Sequence, residues 1–441
     1  MESLSAAGRR LIDRKILLVF CLGNFISFVD RINVSYAALE MNREIGLTPE
    51  LFGFGAGLFF IAYAGLEIPS SYFLVRLGGP KWFARIMISW GICSAAMGLA
   101  TGHVSFSVLR FIVGACEAGF APGAYYYFAR WYPASQLGRV YSRWILASII
   151  ASIVAGPLAA VLLNVNAFGL SGWRWMFFAE GIPAVALGLY ILKFLPRDPA
   201  SAQWLAPGDR RVLLQLAEVR DGHGVALRTF WTAFLSLRVW TYAVCFFVYL
   251  CFGFGYTLWL PQVVKSLFAG SSSVFISLMS TVPWLCAAAG TLLLGWSSDR
   301  LGDRRWHLAG AAFWAATFLL VGISTKGMAT FIMLCLVGFA LNAFIAVFVS
   351  VPTAELKGVG AASGLSIINA VGGIGGFMGP YAFGALRQAT GSFYDGMLFF
   401  GCMAIIAGLI PVVFKGAFPS FGAGRKAGSV GAVAVGELDS P

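Results

Sequence analysis

Charge is what this sequence has least of. Only 11% of its 441 residues are Asp, Glu, Lys or Arg, against 59% hydrophobic, and the mean hydropathy is +0.81. Soluble domains carry about a quarter charged residues, so composition excludes a water-soluble globular protein. Histidine is nearly missing: His103, His223 and His307 all fall in or beside loops. No nucleophile–base pair or metal-ligand spacing shares an apolar run, which leaves a membrane enzyme without chemistry and gives no reason to expect a cofactor. The eight cysteines (21, 93, 116, 245, 251, 286, 335 and 402) lie inside apolar runs and form no C-x-x-C, so they read as small packing thiols. The net charge of +12 comes from short loops and not from a basic face, which removes nucleic acid as a partner. No small-x-small cleavage site follows the first apolar run before Asp30, so that run is expected to stay as a helix.

What the chain has in abundance is apolar runs of about 20 residues, enough to cross a bilayer. Lipid offers no partner to backbone N–H and C=O groups, so these runs are helices with membrane lipid around them. Twelve are expected, near 15–38, 50–75, 82–101, 105–130, 142–164, 174–195, 238–265, 273–297, 306–325, 328–352, 360–386 and 393–415. The fold class is all-α, with six-helix bundles at 1–195 and 238–415, a polar linker at 196–237 and a tail at 416–441. In the linker, DRRVLLQLAEVR (Asp209 to Arg220) has apolar residues at helical spacing and reads as a short amphipathic helix on the membrane face. The tail, rich in Gly, Ala and Ser, is expected to be disordered. Basic residues fix the orientation. Arg9, Arg10, Arg14 and Lys15 precede span one, Arg76, Lys81 and Arg85 follow span two, and Arg130, Arg139 and Arg143 follow span four. The linker adds Arg197, Arg210, Arg211, Arg220 and Arg228, and the loop after span eight adds Arg300, Arg304 and Arg305. The alternate loops offer only Arg43, Arg174, Lys265, Lys326 and Arg387, so both termini and the linker are expected in the cytoplasm.

The halves carry a repeat. GWSSDRLGDRR (Gly295 to Arg305) follows span eight, and SYFLVRLGGPKW (Ser71 to Trp82) follows span two. Arg300, Gly302 and Arg305 align with Arg76, Gly78 and Lys81, while Gly295 and Asp299 face Ser71 and Val75. Such repeats point to paired bundles rocking about a central site, with these loops as gates. The Asp299 carboxylate can cap a helix N-terminus or bridge to a neighbouring arginine. The pattern resembles the loop signature G-x-x-x-D-R-x-G-R-[RK] of the major facilitator superfamily, from which the first copy departs at Ser71 and Val75. FVDRINVSYAA, LRFIVGACEAGFAPG, GWRWMFFAEGIPA, FLPRDPASAQWL, YTLWLPQVVK and INAVGGIGGFMGPYAFG are similar to segments of its anion:cation symporter family, in the manner of bacterial tartrate, 4-hydroxyphenylacetate and sugar-acid permeases. The resemblance runs from span one to span twelve. It implies the major facilitator fold in two pseudo-symmetric bundles, a monomer of the bacterial inner membrane, and uptake of a small organic carboxylate with H+ as coupling ion. It leaves sugar acid, tartrate and aromatic acid all open.

Spans one and four hold four charges between them: Asp30 and Arg31 in span one, Arg110 and Glu117 in span four. Each costs about 2.5–3.5 kcal/mol at mid-helix on insertion scales, so a partner, a water-filled cavity or a task is required. Arg110 and Glu117 are two turns apart on one face, about 10 Å along the axis. Asp30 and Arg31 diverge by about 100° in azimuth and need partners across helix interfaces. A static ion-pair cluster pinning the two spans is one reading. The other divides labour: Arg31 holds the anionic substrate in a planar fork, while Asp30 and Glu117 carry protons. The resemblance implies the same roles, with Arg110 modulating Glu117. Tyr63, Tyr256, Trp259 and Asn369 are candidate polar walls of the substrate site, and Ser148 and Ser152 are weaker ones. Glu67 and Glu180 read as packing or capping acids. Gly119, Gly123 and Gly372 to Gly376 read as sites of close helix approach. Gly156-Pro157 has a faint likeness to an antiporter motif, but its flanking residues are Ala and not Gly.

The leading expectation is an alternating-access symporter. An exporter or uniporter of the same fold, for a drug or a metabolite, is the alternative; the paired arginines favour a small anion over a cationic drug. A binding-only sensor of the same shape would show no solute flux.

Overall fold

A computed structural model of the chain describes residues 4–221, 232–356 and 360–418. The expected disorder of the tail from 419 onward, and Arg228, lie outside the described residues. Among the described residues eleven helices are long and apolar enough to cross a membrane. They are Ala6–Glu44, Pro49–Leu77, Gly79–Leu99, His103–Trp131, Gln136–Leu162 and Gly172–Phe194 in the first half, then Leu237–Leu267, Ser273–Leu301, Arg305–Ile323, Met328–Glu355 and Phe393–Val413 in the second. Span eleven, Gly360–Thr390, is equally long. Together these are the twelve passes of two six-helix bundles. Local chemistry sets their ends. Thr48 caps span two through its hydroxyl to the Leu51 N–H, with Pro49 in the first turn. Ser272 and Ser392 cap spans eight and twelve in the same way. Gly78 (φ +86°) and Gly302 (φ +64°) make the turns after spans two and eight, in the left-handed region that favours glycine.

Two spans expected as continuous are broken. Span four divides into His103–Glu117 and Phe120–Trp131, with Gly119 at φ +88° between them. Pro122 has no N–H to give the Ala118 carbonyl four residues back, and Ser70 of span two supplies the missing donor at 2.7 Å. Span eight divides into Ser273–Met279 and Val282–Leu301, where Pro283 likewise removes a helical donor. The linker helix is Pro207–Asp221. Its first turn docks on the chain's N-terminus, where the Ser5 N–H and hydroxyl both donate to the Asp209 carboxylate at 2.7 Å. Trp204 stacks on Trp131 of span four, with Lys15 over its outer face.

Among the described residues the halves meet at the end remote from the chain termini, and small residues make the seam. Spans two and eleven touch in register, Pro49 on Gly384, Gly53 on Pro380, Gly57 on Phe377, Phe60 on Gly376 and Ala64 on Gly373. A β-carbon on Gly57 would stand 2.9 Å from the Phe377 carbonyl oxygen, so only glycine permits this approach. Gly156 of span five does the same against Ser277 and Thr281 at the break in span eight. Spans one and seven add two polar latches, from Lys265 Nζ to the Leu39 carbonyl at 2.6 Å and from Asn42 to Gln262 at 3.4 Å. One turn beyond Ala64 and Gly373 the seam ends. Gly65 faces open space, and Ile68 and Asn369, on the faces that had been in contact, are exposed. The cleft between the bundles thus opens at the end carrying the termini.

Replacing Gly57 by Leu overpacks this seam, which should disfavour the sealed arrangement by about 1–3 kcal/mol, a shift of roughly 5–150-fold in its population. Spin labels at positions 43 and 271, in a background freed of native cysteines, should report a longer distance in Gly57→Leu. An unchanged distance distribution would remove these glycines as the seal.

Candidate functional site

The buried charges converge inside the first bundle. Arg31 donates to Glu117 through Nε at 2.9 Å and Nη2 at 2.6 Å, and the Ser27 hydroxyl adds a third bond at 2.6 Å. All three fall on Oε1; Oε2 is buried and has no partner. The Glu117 side chain is wholly buried, whereas that of Arg31 keeps 16% of its surface. The guanidinium lies among Phe28, Phe59 and Tyr63, with the Tyr63 ring nearest at 4.8 Å. Glu117 is the last residue of its helical segment, so the kink at Ala118–Gly119 sets where its carboxylate points. A β-carbon on Gly119 would collide with the Ser70 hydroxyl that holds the kink.

Arg110, two turns earlier in span four, is 2% exposed. Among the described residues its one hydrogen bond is a long one to the Ala56 carbonyl at 3.5 Å, Nε is unpartnered, and the Phe59 ring it shares with Arg31 lies 4.9 Å away. A guanidinium so poorly satisfied is a place where an anion is favoured.

Asp30 turns away from Arg31, as their azimuths require, and meets span three. Its carboxylate accepts from Trp90 Nε1 at 2.8 Å, from the Ser94 hydroxyl and from the Asn33 amide at 3.2 Å. The same amide donates to Glu180 of span six at 2.7 Å. Gly91 and Gly181 let spans three and six meet backbone to backbone beside it, which brings Glu180 inward.

The other candidates are spread more widely. Asn369 lines the cleft, exposed one turn beyond the last seam contact at Gly373. Tyr256 and Trp259 do not. Both are buried in the second bundle, Tyr256 donating to the Leu334 carbonyl at 2.8 Å and Trp259 to that of Pro380 at 3.0 Å. Trp259 also packs edge-on against Phe52 across the seam, so here it belongs to the seal. The Ser148 and Ser152 hydroxyls bond back to carbonyls of their own helix. In the second gating loop Asp299 pairs with Arg304 at 2.5 Å, while Arg300 and Arg305 lie over Trp296 and Trp306. Gly295 faces open space. In the first loop Arg76 reaches Tyr72, Gly78 packs beside Arg197, and Lys81 is exposed. Sequence reading passed over Ser27, Asn33, Trp90 and Ser94, the neutral partners of the charges. Ser27 and Asn33 had a signal in their place one turn from Asp30, whereas Trp90 and Ser94 stand one turn from each other with no charged residue beside them in span three.

Glu117→Leu strips Arg31 of its counter-ion and should destabilise the protein by about 3–5 kcal/mol, with Arg31→Met in addition recovering most of the loss. A double-mutant cycle on thermal unfolding in detergent measures this. Additive effects of the two substitutions would mean the pair does not interact.

The chain can now be compared with known proteins. The profile described as Major Facilitator Superfamily matches residues 20–273. A "Putative tartrate transporter" from Agrobacterium vitis is 34% identical over 416 residues, covering 94% of this chain and 96% of the relative. A "Quinolone resistance transporter" from Acinetobacter baumannii is 35% identical over 410 residues, covering 91% and 93%. A solved bacterial homologue of the human lysosomal transporter Spinster, inward-facing and unoccupied, superposes with a TM-score of 0.76 at 18% identity, covering 94% of this chain and 98% of the other, and so shares the fold. Match, relatives and fold agree: this chain is a membrane transporter belonging to the Major Facilitator Superfamily.

Proposed function

We propose that the protein is a proton-coupled symporter that takes up a small organic carboxylate across the bacterial inner membrane by alternating access, with both termini in the cytoplasm. The Arg31–Glu117 bridge is the observation that carries this reading. Arg31 is at once the partner of a buried acid and the charged group of the set that keeps some exposed surface. A substrate carboxylate entering beside Arg31 competes with Glu117 for the same guanidinium. Glu117 can yield it without stranding a charge only by taking a proton, for which the unpartnered Oε2 is available. Arg110 supplies a second positive group, Asp30 a second acid, and Tyr63 and Asn369 neutral contacts to the remainder of the substrate. With the termini in the cytoplasm, the open cleft faces inward. The relative named for tartrate supports a carboxylate as cargo.

An exporter is the second reading, favoured by the quinolone-resistance relative at comparable identity. Proteoliposomes with tartrate as the probe separate the two. Tartrate accumulation driven by an inward proton gradient is expected of the symporter; net efflux or indifference to the gradient favours export. Arg31→Ala is expected to abolish tartrate binding. Glu117→Gln should retain tartrate exchange and lose accumulation. Full accumulation by Glu117→Gln would take that acid out of the coupling.

A further inference from the structure

Besides Glu67, half-buried in span two, this reading leaves one acid of the spans' interior without a task, Glu180. It is 6% exposed at mid-span and within reach of one donor, the Asn33 amide. The other hydrogen of the same NH2 group goes to Asp30. Two carboxyls from spans one and six are therefore strapped together by a single neutral side chain that is itself 2% exposed. Among the described residues neither forms an ion pair. Among the described residues the charged groups near Asp30 are Arg110 and Glu117 of span four and Glu180 itself, and the one near Glu180 is Asp30. Two ionised carboxylates sharing one amide in an apolar interior, with no cation between them, is an arrangement proteins avoid; one proton shared by the pair removes it. Asp30, with three donors, is the better placed to bear the charge, and Glu180, with one, to hold the proton.

We propose that Glu180 is a third proton carrier, coupled to Asp30 through the Asn33 side chain and lying on the far side of Asp30 from the open cleft. The inference rests on the proton-coupled reading above. Span six enters from the sealed end at Gly172, which puts Glu180 about 12 Å along it, while Asp30 lies about 21 Å from the same end of span one. Protons thus have a storage place beyond Asp30 that the carboxylate cargo does not occupy. Asn33 suits such a pair. Its Oδ1 has no partner in the present orientation, and a half-turn of the amide would present that oxygen to both carboxyls, favourable when each holds a proton.

Infrared spectroscopy of the purified full-length protein in lipid nanodiscs tests this without a substrate. Protonated carboxyls have their own carbonyl stretch, and 13C-labelled glutamate separates Glu bands from Asp bands. The difference between wild type and Glu180→Gln is expected to show the loss of one protonated Glu band, with a shift in the pH at which the Asp30 band titrates. If Glu180→Gln does not fold, Asn33→Ala serves, and the Glu180 band should move as its amide donor is lost. Identical Glu bands in wild type and variant would overturn the proposal. Wild-type proteoliposomes that accumulate tartrate regardless of the proton gradient would instead remove the symport reading and leave the infrared result standing.

Discussion

The constraint behind this structure is the penalty for charge in an apolar interior, and the two bundles answer it differently. Among the described residues the buried charged groups of the spans, Asp30, Arg110, Glu117 and Glu180, all belong to the first bundle, with Arg31 beside them. The buried polar residues of the second bundle are neutral: Thr241, Ser277, Ser280, Thr281, Ser298, Thr330 and Ser363. Pseudo-symmetric in backbone, the halves are unequal in chemistry. One holds the buried charged groups of the spans, and the buried polar groups of the other are neutral.

The seam between them follows from the same economy. It contains no ion pair among the described residues. Spans two and eleven approach through glycine, so close backbone packing excludes water where few side chains could. The polar contributions, Lys265 to Leu39, Asn42 to Gln262 and Tyr381 to Glu50, are single bonds near the membrane surface, where water can replace them. A seal of van der Waals contacts and replaceable hydrogen bonds holds in one state and opens into another without stranding a charge.

Much of this was legible because lipid enforces it. Hydropathy located the spans, span eleven among them. The charges stood out because they are rare at mid-span. The breaks in spans four and eight were hidden inside unbroken apolar runs, although Gly119 with Pro122, and Pro283, are their cause. The direction of Tyr256 and Trp259 was not legible either, since a helix apolar on every face gives no period from which to tell cleft from core. Glu180 looked like a packing acid because its meaning lies in Asn33, an uncharged residue in another span. Gly156 was set aside for its weak motif, yet it packs into the break of span eight, a contact that no local pattern announces.

In the symport proposed here, the Arg31–Glu117 bridge explains how one ion pair can enforce coupling. In the empty carrier the two charges cancel, so nothing opposes reorientation. A carboxylate that takes Arg31 while Glu117 is ionised leaves a buried acid without a counter-ion, a state disfavoured by about 3–5 kcal/mol. That corresponds to roughly two to four powers of ten against carrying cargo without a proton. A proton on Glu117 without cargo leaves the arginine bare at a similar penalty. Both half-loaded states are suppressed by the same missing contact, and only the empty and the fully loaded carrier cross freely. The ratio of coupled to uncoupled movement is then set by how completely Glu117 is kept from water, which the kink at Gly119 and the hydroxyl of Ser70 secure.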